Sequence, residues 1–246
     1  MALLLRVWLV FCCLGATAQA APVLSVQRFA NHSTDPRLEP LGRGLADMLT
    51  TDLAGLEGVQ LVERAQLQAI LDELELGTTA FVDPKTAAKV GKGLGASHMV
   101  VGSIVEASPS IRIDARVIQV KKGKVVGAVS TTGPKEEFFL LEKELVQGLL
   151  QELEVVVGAR DQARMMAAVP TESFDAILAW SDGLDAMERG EIARASRSFR
   201  DALVADGDFA TAQAMLDDLN ASFTKTAAAR AAQARAASAA QLDAIA

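Results

Sequence analysis

Val59 to Ala107 reads VQLVERAQLQAILDELELGTTAFVDPKTAAKVGKGLGASHMVVGSIVEA. Val59-Gln60-Leu61-Val62 is a short strand that ends at Glu63-Arg64. Leu67, Ile70, Leu71 and Leu74 then recur at helical spacing, and Gly77 stops that helix. Asp83-Pro84 opens a second helix, because Asp caps well and proline lacks only an N–H that the first turn leaves unpaired anyway. Gly91, Gly93 and Gly95 close it. Met99 to Val105 is nearly continuous in apolar residues, the pattern of a strand covered on both faces. Two helices set between strands predict an α/β layer.

The flanks extend that layer. Val23 to Phe29 is a first strand, and Asn31 to Pro40, polar with two prolines, is a loop. Leu41, Leu45, Met48, Leu49, Leu53 and Leu56 mark one buried helix face that stops before Gly58. Ile111, Ile113, Ala115 and Val117 alternate with Arg112, Asp114 and Arg116, a strand with one wet face. Lys121-Lys122-Gly123-Lys124 turns the chain, Val125 to Thr131 returns as the hairpin partner, and Gly133-Pro134 ends the sheet. A helix from about Lys135 to Val156 buries Phe138, Leu141, Leu145, Leu149 and Leu153, with Glu142, Glu144 and Glu152 turned elsewhere.

Met1 to Ala20 reads as a secretory signal peptide: Arg6, then Val7 to Leu14, then Ala18-Gln19-Ala20 as the small-x-small cleavage site. The apolar run is shorter than the roughly 20 residues that span a bilayer. Cys12 and Cys13, the only cysteines, lie inside it. Neither is preceded by the small residue a lipidated cysteine requires, and the mature chain has no thiol for a disulfide or a metal. The expected location is the periplasm, with peripheral outer-membrane association and no transmembrane segment in the mature chain. The formal charge is -7, there is no tyrosine, aromatics are 4%, and no basic stripe appears; nucleic acid is not an expected partner.

Chemistry-bearing motifs are sparse. Gly91-Lys92-Gly93-Leu94-Gly95-Ala96-Ser97 has the glycines of a phosphate loop, but it follows a helix and precedes a strand, the reverse of the required order. His32 and His98 stand alone, with no second imidazole at metal-ligand spacing and no Gly-x-Ser-x-Gly elbow. No catalytic, cofactor or metal residue is predicted, and no enzyme. Glu63-Arg64, at the carboxyl edge of a strand, is either a ligand-binding pair, with His98 nearby, or a structural charge at a helix start.

After a connector at 158–172, residues 173–223 read as a small helical unit and 224–246 as an alanine-rich tail, either a solvent-exposed helix or one docked on a partner. Gly183, Gly190, Ala195, Phe199 and Ala202 fall at offsets 7, 5, 4 and 3, which resembles a tetratricopeptide repeat. The departures are Ala179 with Trp180 shifted by one, Ala186 and Gly207. Glu63, Arg64, Trp180 and Phe199 are the candidate protein-binding residues.

From Val23 to about Leu153 the chain resembles the curli assembly/transport (CsgG-type) family and the N-terminal domain of TolB-like periplasmic proteins. The resemblance is carried by Gly44-Leu45-Ala46-Asp47-Met48-Leu49, Val62-Glu63-Arg64, Leu67 to Leu76, and Gly91 to Ala96 running into Val101-Gly102-Ser103-Ile104. It implies a non-enzymatic α/β domain at residues 21–157, in the cell envelope. Implied partners are other envelope proteins or further copies of the chain as a homo-oligomer. The curli channel is lipidated and inserts long amphipathic hairpins. Here the hairpin around Gly123 is expected to be too short and too charged for membrane strands of about ten residues. Relatives without such hairpins act as accessory or adaptor proteins, including activators of cell-wall synthases. The expected architecture is a mixed sheet flanked by helices, then a small all-α tetratricopeptide-like hairpin and a helical or disordered tail.

Overall fold

The structure, a computed structural model, describes residues 21–73, 83–107 and 109–243. The predicted signal peptide and the Gly77 stop lie outside the described residues, as do the side chains of Arg64 and of most of the tail beyond residue 225.

Six strands form one mixed sheet: β1 (Val23–Val26), β2 (Ala30–Asn31), β3 (Gln60–Leu61), β4 (His98–Ala107), β5 (Ser110–Gln119) and β6 (Lys124–Pro134). The order is β3-β1-β4-β5-β6, with β2 also pairing β4. β1 and β2 run parallel to β4, and β1 to β3, whereas β4-β5-β6 is an antiparallel meander. Helices α1 (Leu41–Ala54), α2 (Arg64–Glu73) and α3 (Pro84–Gly93) are the crossovers that parallel pairing requires. α4 (Phe138–Glu152) follows the meander.

The sheet has two unequal faces. α1 and α4 cover one, packing Leu45, Leu49, Leu145 and Leu149 on Leu24, Ile104, Ile113 and Val117. On the other, Leu67, Ala87 and Val90 of α2 and α3 close over Met99, Val101 and Ile118. That second cover is short, so Ser103 and Val105 are only half-buried and Arg112 is exposed. The strand predicted as covered on both faces is so only at its start. The β3 strand is also briefer than the apolar run suggests.

The glycine run after α3 does what its position predicts. Asp83 caps the helix by accepting from Thr86 N–H at 3.0 Å. At the other end Gly95 takes φ 68°. Its N–H bonds to Lys92 O at 3.2 Å and that of Ala96 to Gly91 O at 2.9 Å, the paired bonds of a left-handed helix stop.

The C-terminal part is helical: α5 (Ala159–Ala167), α6 (Phe174–Glu188), α7 (Ile192–Ala205) and α8 (Ala210–Asp243). α6 and α7 form an antiparallel pair, closed where the Phe199 ring lies against Gly183. Two boundaries differ from the sequence reading. The connector contains α5, made of good helix formers and anchored by buried Met165. The last helix of the hairpin unit and the alanine-rich tail are one 34-residue helix, because nothing between residues 210 and 243 breaks it. No helix among the described residues is long and apolar enough to cross a membrane.

Candidate functional site

The hairpin is built into the α/β body rather than tethered to it. The bodies share one apolar core, in which Ile177, Trp180 and Leu184 of α6 join residues of α1 and α4. Gly44 permits this approach: a Cβ there would stand 1.9 Å from Ser181 Oγ and 2.9 Å from its Cβ. Charges surround the contact. Arg28, beyond the end of β1, donates to the Asp185 carboxylate, which also pairs with Arg189 at 2.5 Å. Arg43 reaches Asp47 at 3.1 Å and Glu188 at 3.3 Å. Asp185 is 2% exposed, so its two cationic partners are what make its burial tolerable.

Beside this contact lies a cavity of about 310 Å³ between α1, α4, the 167–170 segment, α6 and the start of α8. Its floor is buried and largely apolar, with Met48, Phe139, Ile177, Trp180 and Phe209. Its rim is exposed at Thr51, Ala168 and Val169. The rings of Trp180 and Phe209 meet at 5.9 Å, and the indole Nε1 has no hydrogen-bond partner.

Three ionisable groups converge on the floor. Lys143 Nζ donates to Asp52 Oδ2 at 2.5 Å and stands 3.2 Å from Glu142 Oε2. The side chains are 5%, 9% and 0% exposed in that order of Lys143, Asp52 and Glu142. Neither Glu142 oxygen has a hydrogen bond. Two carboxylates with one ammonium would leave a buried net negative charge. Burial first, and the Asp52 charge second, push the Glu142 carboxyl up to about 8, against some relief from Lys143. Glu142 therefore keeps its proton at neutral pH, and the cluster is neutral.

The residues singled out from sequence are dispersed. Trp180 lines the cavity, buried except for 2% of its surface. Phe199 is fully buried between α6 and α7, so it shapes the hairpin from within. Glu63 is exposed, and its carbonyl accepts the first N–H groups of α2, from Gln66 and Leu67. Glu63 is not part of the cavity lining. His98 Nδ1 is 2.9 Å from Ser97 Oγ, which itself bonds the Val23 backbone, and burial lowers its pKa. It is a strand-end polar residue. Among the described residues no group of three or more His, Cys, Asp or Glu could hold a metal.

Glu142 was not expected inside. Its position was legible all the same, for Phe138, Glu142, Leu145 and Leu149 repeat at spacings of four and three along one helix face. The carboxylate argued for solvent, but α4 is wet along Leu140, Glu144 and Gln151, and Glu142 projects from the opposite, covered side.

Residues 13–108 match the family model described as "Curli production assembly/transport component CsgG". This part of the chain is CsgG-like. The match covers α1, the Val62-Glu63-Arg64 turn and the Gly91 to Ala96 stop, the segments on which the sequence resemblance rested. Among curated proteins, "Putative adenylate cyclase 3" of Rhizobium meliloti (strain 1021) is 26% identical over 161 residues, which are 65% of this chain. The chain spans about a quarter of that protein's length, since 26% of it is covered. Among solved structures, the LpoB C-terminal domain from Salmonella enterica is 17% identical, with 48% of this chain and 87% of that one covered, at a TM-score of 0.41. The lipoprotein GNA1162 from Neisseria meningitidis is 14% identical, with 54% and 96% covered, also at 0.41.

Proposed function

We propose that this CsgG-like chain is a non-enzymatic periplasmic protein of the cell envelope that acts by binding other proteins, as an accessory or adaptor in an outer-membrane or cell-wall assembly. The observation that carries the reading is the family match to an assembly/transport component over β1 to β4 and α1 to α3. Two surfaces suit such a role. β6 is one of the two edge strands of the sheet, 11 residues long, with Val125 and Val126 exposed; among the described residues no further strand pairs with it, and such an edge is a template for one. The α6–α7 hairpin, fastened to α1, extends the body with a helical face of the tetratricopeptide type.

Cross-linking in intact cells, followed by mass spectrometry, tests this reading. Specific envelope proteins, or a second copy of the chain, are the expected products. Recovery of the chain alone and monomeric, or with cytoplasmic proteins, would overturn it. The same family match favours one alternative, a subunit of a curli-type secretion channel. That reading predicts rings in detergent extracts of outer membrane, and finding all the protein in the soluble periplasmic fraction removes it.

A further inference from the structure

The cavity between α1, α4 and α6 combines an unusual set of features. Its walls are mostly aromatic and aliphatic, yet Asp47, Asp52 and Glu142 all line it, against one cation, Lys143. Asp47 is matched by Arg43 at 3.1 Å, whereas Asp52 and Glu142 share the one ammonium of Lys143, at 2.5 Å and 3.2 Å, so the pair of carboxyls is one cation short. Glu142 is fully buried, and apart from the shared Lys143 ammonium at 3.2 Å neither of its oxygens has a well-directed hydrogen bond, an arrangement that buried carboxyls seldom show. The volume of about 310 Å³ is at the low end of ligand sites and fits a guest of one side chain or a small molecule.

We propose that this cavity binds an organic cation, an ammonium or guanidinium group on a short apolar stem, with the Glu142 carboxylate as its counter-ion. The stem would lie on Met48, Phe139 and Ile177, while the faces of Trp180 and Phe209 attract a positive charge through their ring quadrupoles. An anion would instead be desolvated among three carboxyl groups. The exposed rim at Thr51, Ala168 and Val169 provides the way in.

Binding releases a proton. Glu142 is protonated up to about pH 8. A cation arriving below that pH displaces one proton to solvent, converting the carboxylic acid and the free cation into a carboxylate–cation pair. Affinity therefore rises about tenfold from pH 6 to 7, about fivefold from 7 to 8, and levels off above. The titratable groups facing Glu142 are Asp47 and Asp52 on α1 and Lys143 on its own helix; α6, the 167–170 segment and the start of α8 line the cavity with residues that do not titrate.

The test uses the chain from Ala21 onward, in which Trp180 is the one tryptophan and its emission the reporter. The probes are n-butylammonium and n-butylguanidinium, with n-butanol and butyrate as the neutral and anionic counterparts. The expected result is a saturable change with the two cations alone. It tightens about tenfold from pH 6 to 7 and about fivefold from 7 to 8, is lost in Glu142→Gln, and is blocked by Thr51→Phe on the exposed rim. An equal response to butanol or butyrate, a pH-independent response, or no response to any probe overturns the proposal. Capped Gly-Gly-Lys-Gly-Gly separates the two sources of such a cation. Tighter binding of the peptide than of n-butylammonium assigns the site to a partner's side chain, and the opposite order assigns it to a free amine. The adaptor reading stands or falls separately, on the cross-linking products.

Discussion

Replacing Glu142 by glutamine changes how the stability of this protein depends on pH. Glutamine keeps the shape of the protonated side chain and cannot ionise. In the native chain, Glu142 titrates at about 8 when folded and near its ordinary 4.5 when unfolded. Between those values the unfolded chain has released a proton that the folded chain still holds, so raising the pH favours unfolding. The stability from this group is fully present below pH 4.5 and is lost as pH rises through 8. The slope is about 1.4 kcal/mol per pH unit, so the native chain loses about 4 kcal/mol between pH 5 and 8 that the variant does not lose. Urea unfolding at pH 5, 6, 7 and 8 and constant ionic strength measures it. The two proteins should be of similar stability at pH 5, and Glu142→Gln the more stable by several kcal/mol at pH 8. His98, whose pKa burial lowers, acts in the opposite sense but equally in both, and cancels in the difference. A difference that does not grow with pH would show that Glu142 is already ionised in the fold, and the account of the buried cluster would fail.

Three further expectations concern the hairpin and its seat. Gly44→Ala should destabilise by about 1–3 kcal/mol despite the better helix former, because the new Cβ meets Ser181; unchanged urea midpoints would mean that α1 and α6 are not in this contact. Asp185→Ala leaves the half-buried Arg28 only Glu39, at 3.7 Å from its carboxylate and 3.1 Å from its carbonyl, and should cost about 1.5–3 kcal/mol, measured the same way, whereas an exposed pair would cost under about 1. Phe199→Ala opens a void beside Gly183 and should cost about 3–5 kcal/mol, with hydrogen exchange accelerating first in α6 and α7. Local loss in the hairpin alone, with the sheet equally lowered in neither variant, would show that the two parts unfold separately.

Much of this architecture is readable along the chain. The Asp83-Pro84 start and the Gly95 stop act within a few residues of themselves, through a cap and a left-handed turn, and both are found where the sequence places them. The alternation of Ile111, Ile113, Ala115 and Val117 with charged neighbours is likewise local, and all four are buried. The Glu142 cluster was less legible because its members come from α1 and α4, 91 residues apart for Asp52 and Lys143. Trp180, recognisable as an aromatic in a repeat-like helix, gains its place over the cavity only once α6 rests on α1.

Periodicity, caps and turn residues, all effects of near neighbours, were enough to determine an α/β layer followed by helices. The burial of Glu142, the joining of the hairpin to the body at Gly44 and the cavity between them were decided by the tertiary structure. The physical reason is that a side chain's hydration is set by everything packed around it, and for α4 that packing arrives from segments distant in the chain.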